Sequence, residues 1–348
     1  MTKMEFGAAL LPWYENNRRI LPWREDPAPY HVWISEIMLQ QTRVEAVRGY
    51  YSRFLETLPD IAALAAAPQE TYMKLWEGLG YYSRVRNLHR AAQVVMEEYG
   101  GELPRTKKEL EKLPGIGPYT AAAIASIAYG EPEPAIDGNL LRVFARLTQY
   151  GENIKLPAAA KEADQFYRER IPKGRGGDFN QALMDLGAAI CLPTSQPRCA
   201  DCPFEKMCEV HIERPGEELS LPVMPVKKPR TIEYLTVFVI HSGEKTAITK
   251  RPAHGLLAGL YELPHADGYL TPAQADDWLR EHGVEALRIV PLPDARHIFT
   301  HREWHMKGYQ VWMDSLCEQK APYIMASAQE IADRYAVPSA FSAFTAYL

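Results

Sequence analysis

Four of the five cysteines, Cys191, Cys199, Cys202 and Cys208, crowd into one short stretch. The N-terminus lacks the pattern of a secretory signal, so a disulfide framework is disfavoured and the cluster reads as a metal site. Four thiolates could hold zinc or a [4Fe–4S] cluster. Spacing alone leaves both open, although zinc sites usually pair two CxxC knuckles and only Cys199–Cys202 has that form. Cys317 stands apart and reads as a small buried hydrophobe.

Two carboxylates are placed for acid–base work. Glu36 sits in an apolar run with Trp33, Ile37 and Met38, where burial would raise its pKa and keep it protonated near neutral pH. A buried glutamate paired with an arginine is the alternative, and on the residues alone the more ordinary one. Asp137 precedes a helical segment beginning at Asn139, which suits an N-cap. A carboxylate fixed by backbone N–H groups would also stay ionised beside a developing cation.

The third feature is Leu113-Pro-Gly-Ile-Gly-Pro-Tyr-Thr-Ala121. Gly115, Ile116 and Gly117 join a helix ending near Leu113 to one starting near Pro118. Such a corner points N–H groups outward at a helix N-terminus, where they suit a phosphate. An ordinary helix–turn–helix corner fits the isolated motif equally well.

Helices must position these groups. Amphipathic periodicity predicts helices over 5–20, 32–51, 60–76, 83–99, 107–113, 119–129, 139–149, 157–171 and 178–190, with no strand before about residue 230. The segment from Arg214 to Arg230 carries four prolines and reads as a linker. Beyond it, strands are expected at Tyr234–Ile240, Thr246–Lys250 and Tyr309–Met313, and helices at Pro272–Glu281 and Ala328–Tyr335. The fold class is therefore multidomain: an all-α region followed by a small α+β domain.

Composition bounds the function. With 348 residues, 47% hydrophobic and 24% charged, the chain has material for two or three cores. No apolar run approaches a membrane span, so no membrane association and a cytoplasmic location are expected. The net charge of -5 has the wrong sign for nucleic acid, so a nucleic-acid surface would have to be local. Arg84, Arg86 and Arg90, then Lys107 and Lys108, then Lys173 and Arg175 could supply it, and solvated helix faces explain each group as well.

Taken in order, Leu21-Pro-Trp-Arg24, Ser35-Glu-Ile-Met-Leu-Gln-Gln-Thr42, Gly80-Tyr-Tyr-Ser-Arg84, the glycine hairpin, Ala135-Ile-Asp-Gly-Asn139, the cysteines and Gly255-Leu-Leu-Ala-Gly-Leu-Tyr-Glu-Leu-Pro264 resemble one family. It is the helix–hairpin–helix DNA glycosylase superfamily that includes endonuclease III. Within it the chain most resembles the adenine DNA glycosylase (MutY) family. The resemblance implies a helical glycosylase region over 1–214, comprising a six-helix barrel and an iron–sulfur module. It further implies a linker over 215–230 and a Nudix-like domain over 231–348. Seven residues separate Cys191 from Cys199 where the family usually has six, and Thr300 stands where serine is usual.

The implied activity is monofunctional removal of adenine opposite 8-oxoguanine or guanine in duplex DNA, by a monomer carrying a [4Fe–4S] cluster on the four cysteines. Glu36 would protonate N7 of adenine, and Asp137 would stabilise the oxocarbenium ion, assisted by Tyr119 and Asn139. Tyr119 occupies the position where bifunctional relatives carry a Schiff-base lysine. Gln41 and Tyr81 would wedge the duplex open beside the opposite base. Trp23 and Arg24 would line the base pocket, and Arg84 and the hairpin would contact DNA. Phe299, Thr300 and His301 would read 8-oxoguanine. Competing readings are an endonuclease III-like glycosylase/lyase, a non-catalytic DNA-binding protein, and a Nudix hydrolase. The last lacks its acid pair after Arg280-Glu281.

Overall fold

A computed structural model of the chain describes residues 2–226, 229–313 and 323–348, so Cys317 lies outside the described residues. Two compact units emerge, one from Met1–Ala66 with Asn87–Val226, the other from Ala67–Arg86 with Lys227–Leu348. The second unit thus takes a segment from the middle of the helical sequence.

The first unit opens with α1 (Lys3–Asn17), whose N-terminus is closed by a reciprocal Thr2–Glu5 capping box. Helices α2 (Pro22–Glu25), α3 (Pro29–Leu39), α4 (Val44–Thr57) and α5 (Ile61–Ala66) follow, and α6 (Gln69–Leu75) lies in the second unit. Helix α7 (Ser83–Glu98) leads to α8 (Lys107–Leu110), α9 (Pro118–Tyr129), α10 (Gly138–Leu147), α11 (Pro157–Arg168), α12 (Gly176–Ala189) and α13 (Glu209–Glu213).

Two of the expected helices are divided. The 32–51 segment breaks after Leu39, because Gln41 adopts a left-handed conformation (φ 57°) and the Gln40 amide donates to Thr120 Oγ1 at 3.1 Å. Apolar periodicity does not register a one-residue reversal of this kind. The 60–76 segment breaks at Pro68, which caps α6 and cannot continue α5.

The core of this unit joins α1 to α10, α11 and α12. Phe166, Tyr167, Phe179 and Phe204 meet Phe6 edge-on or tilted, with Phe6 and Phe204 centroids 4.5 Å apart, and Phe144 packs edge-on against Phe166. A buried ring of this kind contributes on the order of 3 kcal/mol or more when truncation leaves a cavity. Helix α9 is buried over Thr120–Ser126, and its alanines allow α3 and α12 to approach closely. At the far end of α9, a Cβ on Gly177 would stand 2.9 Å from the Ile127 Cα, so α12 needs glycine there.

Residues 218–226, within the expected linker, are built into the first unit. Glu218 and Leu221 are buried, and the Ile154 N–H donates to the Val223 carbonyl.

The second unit holds a mixed sheet of β1 (Thr231–Ser242), β2 (Lys245–Lys250), β3 (Tyr261–Glu262), β4 (His265–Asp267), β5 (Ala286–Ile298), β6 (Arg302–Met313) and β7 (Ile324–Ser327). The main order is β3-β2-β1-β6-β5, with β4 on β1 and β7 on β2. Strands β1 and β6 run parallel from Thr231↔Arg302 to His241↔Trp312. Alternation along β1 sends Leu235, Val237 and Val239 to a core with Trp304, Phe341 and Phe344. It sends Phe238 and Ile240 to a second core with Leu279 of α14 (Pro272–Glu281). Helix α15 (Ala328–Arg334) follows β7.

Candidate active site and cysteine site

Glu36 projects from α3, 5% exposed, and accepts a 2.6 Å hydrogen bond from the Tyr119 hydroxyl on the first turn of α9. Burial pushes the Glu36 carboxyl up to about 7, opposed by the Tyr119 hydrogen bond, while the charge of nearby Asp137 adds to the rise. Burial likewise keeps the Tyr119 hydroxyl protonated, so it remains a donor.

Asp137 is the N-cap of α10, its Oδ1 accepting from the Leu140 N–H at 2.8 Å and its Oδ2 from Asn139 Nδ2 at 2.8 Å. Its carboxyl is raised by burial, a rise that these donors and Arg142 limit. Arg142 Nη2 donates in turn to Asn139 Oδ1, while its Nη2 and Nε reach the carbonyls of Gly187 and Cys191, each at 2.8 Å. Gly187 is required here: a Cβ would lie 2.6 Å from that of Asn139.

A small pocket beside Glu36 is walled by Leu21, Trp23, Arg24, Ile127, Gln181 and Met184. Trp23 is buried edge-on against Tyr51. Arg24 does not face the pocket as a free cation. Asp185, 1% exposed, accepts from it at 2.7 and 3.0 Å and from Arg19 Nε at 2.6 Å. One buried carboxylate thus offsets two guanidinium groups beside Glu36.

The hairpin has Gly115 at φ 76° with its α-carbon against Asn87, Ile116 buried, and Gly117 as N-cap of α9 followed by Pro118. The first turn of a helix leaves N–H groups without helical carbonyls, so this end of α9 can receive an anion. Among the other expected cations, Arg90 and Lys108 are exposed, while Arg175 is paired with Glu15 and Asp178.

The four cysteines line one cavity together with Arg146, Phe204, His211 and Glu218. Burial pushes the Cys199 thiol up to about 11 and the Cys202 thiol up to about 12, so a metal would displace protons on binding. Arg146 Nη1 lies 3.2 Å from Cys191 Sγ, and its buried Nη2 has no hydrogen-bond partner among the described residues. A buried donor left over in a wall of thiols suits an anionic metal–thiolate group, so the residues fit such a centre. Cys199, His211 and Glu218 also bring one ligand atom each within 4.8 Å of one another. Glu218 is already engaged. Against the upward push of burial, His211 at 2.6 Å and Gln196 at 3.0 Å help hold its carboxyl down to about 2.

In the second unit, Phe299 packs edge-on against His297 and Trp304, and Thr300 and His301 form the turn between β5 and β6. Thr300 Oγ1 is 2.5 Å from the hydroxyl of Tyr81, which is itself left-handed at φ 48°. The two border a cavity of about 520 Å³ that Phe299, His301 and Leu257 also line. Arg84 lies in the same unit. It is buried, donates to the Leu79 and Gly80 carbonyls, and lies over the Trp76 and Tyr81 rings, with burial pushing its pKa down to about 10. These contacts tie it to the Tyr81 loop. Arg86 likewise caps the Ala258 carbonyl.

The HhH-GPD superfamily of base excision DNA repair proteins matches residues 34–172, and the NUDIX domain matches residues 236–347. Mouse adenine DNA glycosylase is 35% identical, over 91% of this chain and 72% of its own. The adenine DNA glycosylase of Buchnera aphidicola subsp. Acyrthosiphon pisum is 32% identical, over 91% of this chain and 89% of its own. The chain belongs to the adenine DNA glycosylase family. It is thus a DNA glycosylase, an enzyme of base excision repair. Among solved structures, a thermostable thymine-DNA glycosylase is 31% identical with a TM-score of 0.56, covering 61% of this chain and 97% of its own. Endonuclease III, in a non-covalent complex with DNA, shares the fold of the helical part at 24% identity and a TM-score of 0.52. Among the described residues, no helix is long and apolar enough to cross a membrane.

Arg142, Gly187, Asp185 and Arg146 of this glycosylase were not singled out from the sequence. Arg142 follows Asn139 by one helical turn, a spacing that could have flagged it. The other three act across contacts distant in sequence and gave no local signal.

Proposed function

We propose that the enzyme removes adenine opposite 8-oxoguanine or guanine in duplex DNA and leaves an abasic site. The observation that carries this reading is the Tyr119–Glu36 hydrogen bond, at a carboxyl raised to about 7 beside the Trp23 pocket. At neutral pH Glu36 keeps a transferable proton, and the Tyr119 donor fixes one carboxyl oxygen so that the other faces the base. Glu36 gives its proton to N7 of the extruded adenine. The C1′–N9 bond then breaks with its electron pair leaving on the base, and the cationic sugar faces Asp137. Water adds at C1′ and gives up a proton to the Glu36 carboxylate, which restores the acid.

Tyr119 supports a monofunctional reaction, because its hydroxyl is committed to Glu36 and offers no amine for a Schiff base. The leftover Arg146 donor and the four converging thiols support a [4Fe–4S] cluster on Cys191, Cys199, Cys202 and Cys208. It would tie their loop to α10 and α12. The hairpin would grip the phosphate backbone, with Gln41 and Tyr81 as wedges and Phe299, Thr300 and His301 as readers of the opposite base.

The test is single-turnover base release, read before and after alkali, from duplexes with adenine opposite 8-oxoguanine, adenine opposite guanine, and thymine glycol. Adenine release that yields strand breaks only after alkali is expected, with Asp137→Asn slower by roughly two orders of magnitude. Cleavage of thymine glycol with spontaneous strand breaks would replace this reading by a glycosylase/lyase.

A further inference from the structure

We propose that the released adenine leaves through a rear portal, a second opening remote from the DNA, while the abasic product is still bound. This rests on the reading that adenine is cleaved beside Glu36. The pocket there encloses about 60 Å³, room for roughly two waters. A purine needs more space than that. The adjoining space is a cavity of about 720 Å³ that shares Arg19, Leu21, Arg24, Ile127 and Gln181 with the small pocket.

The direction of this cavity follows from two helices. Tyr119 lies at the N-terminal end of α9, and Ile127 and Gly130 lie at or just past its other end, about 12–17 Å along at 1.5 Å per residue. Helix α12 runs the opposite way. Its Gly187 touches Asn139 at the catalytic end, whereas Gly177 and Asp178 border the large cavity. Both helices therefore run from the catalytic groups at one end to the cavity at the other.

An extruded nucleotide blocks the way it came in, since its sugar remains joined to the bound strand. Once C1′–N9 is broken, adenine is held between that sugar and the far wall, where Ile127 and Gln181 are only half-buried. Asp185 holds Arg19 and Arg24 to one side of this wall. Displacement of Ile127 and Gln181 joins the two spaces, and the base passes out by Arg18 and Pro27 at the mouth. This route admits a neutral purine and needs no dissociation of DNA.

The test uses the full chain and a duplex with radiolabelled adenine opposite 8-oxoguanine. Three quantities are followed: abasic sites after quenching, free adenine by rapid filtration, and bound DNA by anisotropy. Free adenine is expected to appear at the rate of abasic-site formation and well before the DNA dissociates. The double variant Arg18→Trp with Pro27→Trp fills the mouth without touching Glu36 or Asp137. It should slow adenine egress tenfold or more, with abasic-site formation within twofold of wild type. Adenine that emerges only with the DNA overturns the portal, and so does egress unchanged in the plugged variant. Failure to form abasic sites at all would instead count against the catalytic reading.

Discussion

The Tyr119 hydroxyl donates to Glu36 Oε2 across 2.6 Å, joining the first turn of α9 to the buried middle of α3. The same glutamate is raised from 4.5 to about 7 by burial, and the hydrogen bond limits that rise. A carboxyl with a raised folded pKa holds its proton more tightly in the folded state. Its contribution to stability is complete below about pH 4.5 and is lost as pH rises through 7, a loss on the order of 3 kcal/mol.

Glu36→Gln should therefore be more stable than wild type at pH 8 and not at pH 4.5, while base release falls by roughly two orders of magnitude. Wild-type base release should decline as pH rises past about 7, and the residual activity of the variant should lack that limb. Urea unfolding at both pH values checks the first point. An equal stability difference at the two would mean that the carboxyl is not raised.

Gly187→Ala should be an activity variant with little change at the cysteines. The new Cβ would stand 2.6 Å from the Asn139 Cβ, so Asn139 must swing away and release Asp137 Oδ2. Single-turnover base release should drop tenfold or more at unchanged duplex affinity. Wild-type rates would show that Asn139 is dispensable.

The sequence made the helical unit legible where burial is periodic, as in α10 and α12, and where punctuation is chemical, as with Asp137 capping α10. Strand β5 was missed. Among the described residues it is an edge strand, carrying Pro291 and paired with β6, and has a largely half-exposed pattern without clean alternation. Glu36, Asp137 and the cysteines could be named because their types are unusual for their surroundings. Asp185 could not, because what makes it matter is two arginines more than 160 residues away. The burial of Arg84 was hidden for the same reason. A basic residue among aromatics looks like a DNA contact, and burial against Trp76 leaves no trace in the local sequence.

Iron should accompany the purified protein, giving broad absorption near about 400 nm that zinc would not give. Cys199→Ser should remove it and destabilise the loop from Cys191 to Cys208, whose 3-10 turns bury few side chains of their own. One zinc per chain and no iron by elemental analysis would overturn the cluster assignment while leaving a metal-tied loop.

Thr300 and Tyr81 share one hydrogen bond, and its loss should reach the choice of partner base. Adenine is a normal base, so selection has to come from the base opposite, and 8-oxoguanine differs from guanine by an N7–H donor and an O8 acceptor. The Thr300 hydroxyl, exposed on the β5–β6 turn beside the 520 Å³ cavity, is of the kind that can meet either atom. Its present partner, the Tyr81 hydroxyl, sits on a left-handed residue in a loop held by Arg84. Thr300→Ala should lower the preference for 8-oxoguanine over guanine by about 1–3 kcal/mol, the usual worth of one such contact. Tyr81→Phe should lose part of the same preference. Because the two hydroxyls meet each other, the double variant should lose less than the two single losses added together. Base-release rates on the two mispairs for all four proteins decide it. Full additivity would mean that Thr300 and Tyr81 act separately, and an unchanged preference in Thr300→Ala would remove this turn from lesion reading altogether.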